Sequence, residues 1–152
     1  MTTQDLTPRG LTWTWTKKRL TAETFGKPAA ELVMHCKIGW LENGAWQKEP
    51  VTALWDTGTS MTIISPSVAR KLHLPSLEDT ITLNGVKGTS EAEVYAARVI
   101  LPNGKAYGPI AVAVQDLPST DVLLGMDVIS SGTFSIRRKP DGGTLFTFDL
   151  NV

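Results

Sequence analysis

The sequence predicts an all-β domain of barrel type that carries one or two short helices. Short strand-like segments recur along the chain, and turn residues separate them at 42–44, 102–104 and 140–143. Asn43-Gly44 is a strong hairpin signal, because both positions tolerate a positive φ. Helix is expected after Ser65-Pro66, where Ser can cap the helix and Pro fits its first turn, and over 128–131. Many short strands with frequent turns and little helix are typical of a barrel.

Length and composition favour one globular domain. The chain has 152 residues, of which 41% are hydrophobic and 20% are charged. We expect residues 1–30 to be an N-terminal segment, partly strand or extended, and residues 31–152 to form the domain itself. The 15 basic residues balance the 15 acidic ones. The charge therefore indicates neither nucleic acid nor an anionic membrane as a partner.

Features of secretion and of membrane insertion are not visible in the sequence. The first residues show neither the basic start nor the apolar core of a secretory signal. No apolar run approaches the ~20 residues needed to cross a bilayer. Cys36 is the single cysteine, so no intramolecular disulfide can form. It alternates with predicted core positions, which favours a buried small hydrophobe over a nucleophile. We expect a cytoplasmic protein.

Two motifs carry the chemical information. An apolar strand over 51–55 delivers Asp56-Thr57-Gly58, which is followed by Thr59, and a second apolar strand over 122–124 ends in Gly125. A polar loop at the end of a buried strand is where rigid elements can hold reactive groups. Asp-Thr-Gly also occurs in unrelated turns, where the Asp side chain caps a β-turn. The second motif favours a functional loop over that structural alternative.

The two motifs together resemble the retropepsin family of aspartic proteases, and the match is closer to its cellular and bacterial branch, the Ddi-type proteases. The resemblance runs from about residue 31 to about residue 148, which makes 31–152 a retropepsin-like protease domain. It implies that Asp56 is the catalytic carboxylate and that Thr57 bonds across a dimer interface. It also implies that the Thr59 hydroxyl bonds to the outer carboxylate oxygen. Leu124 and Gly125 then belong to the strand that supports the loop.

Peptide hydrolysis without a metal or a covalent nucleophile needs both a base and an acid. Two adjacent carboxylates that share one proton supply both, because like charges at this distance cannot both ionise. Only one Asp-Thr-Gly exists in this sequence. The resemblance therefore implies a homodimer that cleaves a peptide or unfolded protein, with no metal and no organic cofactor. His35 and His73 lack a partner at metal-ligand spacing, which favours structural roles for both.

In the family a β-hairpin flap covers the substrate. The candidate here is the turn formed by Gly85, Val86, Lys87 and Gly88, whose two glycines give a lid its mobility. A plain hairpin turn is the structural alternative. The alternative function is a retropepsin-like dimerisation or peptide-binding module without turnover.

Two features depart from the family pattern. Trp55 is bulkier than the small aliphatic residue usual before the catalytic Asp, and the chain ends in a hairpin instead of one short strand. The tryptophans, Trp13 and Trp15 among them, are expected to fill either the core or the dimer contact, and Phe146 is a further candidate for the dimer contact.

Overall fold

The computed structural model describes residues 3–6 as backbone, and residues 10–85 and 88–151 with their side chains. Within these ranges the chain forms strands and two short helices, which confirms the predicted all-β class. The strands are β1 (Thr3–Leu6), β2 (Thr12–Trp15), β3 (Arg19–Glu23), β4 (Val33–Glu42), β5 (Ala45–Trp55), β6 (Ile63–Ile64), β7 (Ser76–Gly85), β8 (Gly88–Ile100), β9 (Ala106–Val114), β10 (Val122–Leu124), β11 (Gly132–Arg138) and β12 (Thr144–Leu150). The helices are α1 (Pro66–Leu72) and α2 (Met126–Ile129).

The larger sheet closes into a barrel. Its strand order is β4-β5-β10-β6-β9-β8-β7, and β4 pairs in addition with β8. This extra pairing joins the two ends of a six-stranded run, so β7 remains attached outside the barrel along β8. The prediction of a barrel is confirmed. Apolar side chains of β4, β5, β8 and β10 fill its interior.

A second sheet has five strands in the order β1-β2-β3-β12-β11. The strands of the N-terminal segment thus lie beside the hairpin near the end of the chain, and Arg19 of β3 pairs with Asp149 of β12. The indole N–H of Trp13 donates to the carbonyl oxygen of Val33 at 2.8 Å, which joins this sheet to the barrel. The division of the chain at residue 30 stays a prediction.

The turn and cap signals of the sequence act as predicted. Asn43 and Gly44 connect β4 to β5 with φ of 51° and 79°, the two positive values that a two-residue hairpin turn requires. The Ser65 side chain accepts a hydrogen bond from the Val68 N–H and caps α1. The helix ends at Leu72, and the next residue, His73, caps it with a left-handed φ of 51°. The helical piece expected at 128–131 forms slightly earlier, as α2.

Aromatic side chains fill the space between the sheets. The Trp55 ring lies with its centroid 4.9 Å from that of Phe148 and 5.3 Å from that of Phe146. Trp13 and Phe146 are fully buried within the single chain, so both belong to the core and not to a dimer contact. Trp15 is half-buried and packs against the same core. The bulk of Trp55 is therefore accommodated by the phenylalanines of the final hairpin.

Cys36 is buried in the barrel, as predicted. Burial raises the pKa of its thiol to about 12, because the thiolate would lose its hydration there. The neutral thiol is the form present at ordinary pH, and it packs as a small hydrophobe.

Candidate active site

Asp56 lies at the carboxyl end of β5, beside the parallel strand β10. Its backbone N–H donates to the carbonyl oxygen of Leu124 at 2.9 Å, while the Trp55 N–H donates to that of Leu32 at 3.1 Å. Val122, Leu123 and Leu124 pair with Ala53, Leu54 and Trp55. The main chain that carries the carboxylate is thus held on both sides by strands whose side chains are mostly buried.

The Asp56 carboxylate is half-buried and oriented by its own loop. Its Oδ1 accepts a hydrogen bond from the Gly58 N–H at 2.8 Å, which is the contact of an Asx-turn. Within the described residues Oδ2 accepts no hydrogen bond. The local turn of the structural alternative is therefore present, and it engages one of the two carboxylate oxygens.

Gly58 lies close beside the Asp56 carboxylate. It is not among the residues with a positive φ, so its backbone is open to other amino acids. A Cβ at this position would lie 3.0 Å from Asp56 Oδ1. The constraint comes from the closeness of the carboxylate.

Gly125 allows the strand β10 to approach the loop that follows Asp56. A Cβ on Gly125 would lie 2.6 Å from the carbonyl carbon and oxygen of Met61 and 3.0 Å from the Thr59 carbonyl oxygen. The next residue, Met126, donates its backbone N–H to that same Thr59 oxygen at 2.8 Å. A side chain at position 125 would push these two segments apart.

Sequence reasoning did not single out the pair Thr62 and Asp127. Thr62 is fully buried, and its hydroxyl donates to Asp127 Oδ1 while its backbone N–H donates to Asp127 Oδ2, both at 2.9 Å. The Val128 N–H also donates to Asp127 Oδ1, so the carboxylate lies at the start of α2. The pair joins the end of the Asp56 loop to the segment after Gly125. The sequence signal was an Asp directly after Gly125-Met126.

Two threonines of the loop differ in environment. Thr57 is exposed, as a residue that bonds across an interface would be in a single chain. The Thr59 hydroxyl donates to the Met61 carbonyl oxygen at 3.0 Å in this structure. It makes no hydrogen bond to Asp56 within the described residues, so the tuning of the carboxylate by Thr59 stays a prediction.

The candidate flap is the tip of a long hairpin built from β7 and β8. Gly85 and Gly88 pair directly across its end, and Val86 and Lys87 lie outside the described residues. Nearer the barrel, Ile81 and Leu83 of this hairpin pack against a small apolar cluster of Ile63, Ala92 and Ala113. The hairpin thus shares a cluster with Ile63, which follows the Asp56 loop, while no hydrogen bond between the described residues joins its tip to Asp56.

Asp56 and Thr57 also line an open groove. Its volume is about 460 Å³, and Phe134 and Ile136 of β11 form part of its wall. The indole N–H of Trp55, another lining residue, is buried and has no acceptor within the described residues. The groove is continuous with the loop that carries the carboxylate.

The described residues offer neither a cluster of metal ligands nor a helix that could span a membrane. No group of three or more His, Cys, Asp or Glu side chains comes together in the described parts of the chain. His73 Nδ1 lies 3.6 Å from a Glu42 carboxylate oxygen at the end of α1. Neither helix of the described ranges is long and apolar enough to cross a membrane.

Comparison with known proteins places this geometry in a family. Residues 43–131 match the sequence model of the family described as "gag-polyprotein putative aspartyl protease". The matched stretch contains the loop Asp56-Thr57-Gly58 and the supporting Leu124-Gly125, and it spans more than half of the chain. The chain belongs to this family of retropepsin-like aspartic proteases. The resemblance inferred from the two motifs is confirmed.

Among relatives of this aspartic protease family, DNA damage-inducible protein 1 of Cryptococcus neoformans var. neoformans is 33% identical over 84 residues, covering 53% of this chain. The same protein from a second strain matches equally. The match takes in 19% of that protein, so the chain spans about a fifth of the length of the curated relatives it matches.

Two solved structures are similar to this protease-family chain. A retropepsin-like aspartic protease from Rickettsia conorii is 17% identical in sequence. The superposition covers 91% of this chain and 94% of the Rickettsia chain, with a TM-score of 0.49. The EIAV protease complexed with the inhibitor HBY-793 is 18% identical. The superposition covers 66% of this chain and 86% of the EIAV protease chain, with a TM-score of 0.47.

Proposed function

We propose that this chain is one half of an aspartic endopeptidase, in which the Asp56 residues of two copies form the catalytic pair. The observation that carries the proposal is the placement of Asp56. A partly exposed carboxylate stands at the end of a buried strand, and its backbone bonds to Leu124 of the neighbouring strand. Since the sequence contains one Asp-Thr-Gly loop, each chain contributes one carboxylate, and a two-fold dimer contributes two.

The chemistry follows from two carboxyl groups that share one proton. The ionised carboxylate removes a proton from a water molecule as the water oxygen attacks the peptide carbonyl carbon. The protonated partner donates its proton to the carbonyl oxygen, and a tetrahedral diol results. Collapse of the diol breaks the C–N bond as the nitrogen takes up a proton, which leaves a carboxylic acid and an amine. No metal or organic cofactor enters these steps.

Support for the proposal comes from the rigidity of the loop and from its exposure. The Met126 N–H donates to the Thr59 carbonyl oxygen and the Thr62 N–H donates to the Asp127 carboxylate, so the second half of the loop is held against α2. Thr57 and Gly58 remain exposed at its tip, where a second chain and a substrate can reach them. A site that is preorganised by its supporting contacts costs little reorganisation during the reaction.

Cleavage of unfolded casein tests the proposal. Wild type should cleave casein, pepstatin should inhibit cleavage, and Asp56→Asn should lower the rate at least a hundredfold with an unchanged melting temperature, because an amide is no base. Asp79→Asn is the matched control: Asp79 also precedes a Thr, but it lies exposed on β7, and among the described residues its carboxylate accepts a hydrogen bond only from the Thr80 N–H. A folded wild-type dimer with no cleavage would favour a binding module without turnover.

Subunit mixing tests whether the pair is shared. Under conditions where dimers exchange, an excess of the Asp56→Asn chain should inhibit wild type, since a mixed dimer holds one carboxylate and one amide. Specific activity should also fall on dilution, and low substrate concentrations are needed because bound peptide favours the dimer. Activity that follows the wild-type chain alone, once exchange is verified, would mean that each chain holds a complete site.

A further inference from the structure

β11 is one of the two edge strands of the five-stranded sheet, the other being β1, and its free edge can be assigned residue by residue. The Thr144 carbonyl accepts a hydrogen bond from the Thr24 N–H, and the Leu150 N–H donates to the Lys18 carbonyl. Even-numbered residues of β12 therefore point their backbone groups towards β3. The backbone N–H and C=O groups of the residues opposite them in β11 must then point away from β12. The outward groups belong to Gly132, Phe134, Ile136 and Arg138.

The side chains along this edge are apolar where they approach Asp56. Ile136 is 53% exposed, which is a large value for an isoleucine, and Phe134 is half-buried with its ring centroid 6.1 Å from that of Trp55. Both line the groove that Asp56 and Thr57 also line. A strand edge with unpaired backbone groups and exposed apolar side chains is a template for pairing with another strand.

The other sheet has an edge that is protected against such pairing. β7 carries Glu78 and Asp79, and its register with β8 shifts between Ser76 and Thr80. Glu78 has a φ of 53°, which interrupts the extended backbone. Charges and irregularities of this kind prevent strand addition. From Gly132 to Ile136, β11 carries no charge.

We propose that β11 is the dimer strand, which pairs antiparallel with the β11 of a second copy across a two-fold axis beside Ser135. Phe134 then faces Ile136 of the partner subunit, and the two five-stranded sheets become continuous. This proposal rests on the proposed function, because that function needs the Asp56 of a second copy. Phe134 and Ile136, the apolar residues of the pairing edge, line the same groove as Asp56.

The register follows from charge and from the apolar pair. With the axis at Ser135, Arg137 faces the partner's Thr133 and Arg138 faces the partner's Gly132. With the axis at Arg137, two guanidinium groups would face each other directly, which destabilises a sheet. With the axis at Thr133, Ile136 would reach beyond the partner strand and stay exposed. Only the Ser135 axis pairs both apolar side chains and separates the arginines.

Cysteine cross-linking tests this register. Ser135 would occupy a non-hydrogen-bonded pair with its own copy, where Cα atoms lie about 4.5 Å apart, within the range that a disulfide spans. Ser135→Cys should form a covalent dimer under mild oxidation. The native Cys36 is buried and does not interfere. Thr147→Cys is the matched control, since Thr147 lies directly opposite Ser135 on β12, one strand away from the edge, and should stay uncross-linked.

A mixed experiment fixes the register independently. Thr133→Cys and Arg137→Cys chains should each form little covalent dimer alone, yet should cross-link efficiently when mixed. Cross-linking of Ser135→Cys with Arg137→Cys, in place of this pair, would mean that the axis lies at Ile136 and would overturn the register. Ser135→Cys that stays monomeric on a denaturing gel, while sedimentation shows a dimer, would overturn β11 as the dimer strand. A chain that sediments as a monomer at every concentration would overturn it as well.

A surface substitution gives a test without disulfides. Ile136→Lys should raise the dimer Kd at least tenfold with little change in melting temperature, because the side chain is mostly exposed in the single chain. Leu41→Lys is the control, since Leu41 is 45% exposed on the barrel strand β4 and should leave the Kd unchanged. Equal effects of both variants would contradict the proposal.

Failure of the pairing and failure of the proposed function give different results. A Ser135→Cys covalent dimer that does not cleave casein would refute the protease and support the pairing. An active dimer in which Ser135→Cys does not cross-link would refute the pairing and leave the protease intact.

Discussion

Gly125 and Met61 approach so closely that a Cβ on the glycine would lie 2.6 Å from the Met61 carbonyl group. Real Cβ atoms do not tolerate this distance to backbone, so one strand would have to move. We expect Gly125→Ala to lower the free energy of unfolding by roughly 1–3 kcal/mol, the typical cost of overpacking. Denaturant unfolding would measure it. Gly85→Ala is the control, because the nearest atom to its Cβ would be 3.7 Å away; equal losses would contradict the packing argument.

The hydrogen bonds between Thr62 and Asp127 should contribute to the stability of the fold. Asp127→Ala leaves the buried Thr62 with two donors that lack acceptors, and such a loss costs about 1–3 kcal/mol. Thr62→Val removes the hydroxyl alone and should cost less. A double-mutant cycle on unfolding free energies should give a coupling of roughly 0.5 kcal/mol or more. Additive single effects would show that the hydrogen bonds contribute little.

The pH profile of cleavage should depend on Thr59. We expect a bell on the acid side of neutrality whose two limbs belong to the carboxylate pair. A hydroxyl that donates to an ionised carboxylate lowers the pKa of that carboxylate. Thr59→Ala should then move the acidic limb upward in pH, and Thr59→Ser should restore it. An unmoved limb would mean that the hydroxyl keeps its bond to the Met61 carbonyl in the working enzyme.

The candidate flap can be stiffened at one glycine but not at the other. Gly88 has a φ of 113°, which other residues rarely adopt, so any substitution there strains the hairpin. Gly85 has no such restriction, and Gly85→Ala should reduce the freedom of the tip without strain. If the tip closes on substrate, Gly85→Ala should lower kcat several-fold with an unchanged melting temperature. Unchanged kcat would favour a plain hairpin turn.

The ion pair between Arg19 and Asp149 should make the stability of the fold depend on pH in the acid range. Arg19 Nη2 lies 2.9 Å from Asp149 Oδ2, and the guanidinium lowers the pKa of that carboxyl below its ordinary value. The stabilisation is thus fully present above the ordinary pKa and is lost as the pH falls through the lowered one. The melting temperature of Asp149→Asn should lie slightly below that of wild type at pH 7, since exposed pairs contribute little.

The difference in melting temperature between wild type and Asp149→Asn should vanish in strong acid. The Asp149 carboxyl is then protonated and neutral, like the amide that replaces it. Arg19→Gln should reproduce the same convergence, as it removes the other partner. Melting curves from pH 7 to pH 2 measure it. A difference that is constant over this range would assign the effect to packing.

The sequence alone determined the local turns, the start of the first helix and the two motifs of the candidate site. Asn43-Gly44 predicts its turn because few residues tolerate positive φ, and Ser65-Pro66 predicts the start of α1 because cap and proline act locally. The loop at Asp56 and the strand ending in Gly125 could be found because each is a short motif. Their contact, through the Asp56 N–H and the Leu124 carbonyl, agrees with the expected supporting strand.

Only the tertiary structure decided which distant segments meet. The pairing of β3 with β12, the aromatic side chains around Trp55 and the Thr62–Asp127 bonds join residues that are far apart in the chain, and no local pattern encodes such neighbours. The sequence likewise does not reveal that one edge of β11 is unpaired in the sheet. Strand order is set by the burial of side chains between the two sheets, and this depends on the whole chain at once.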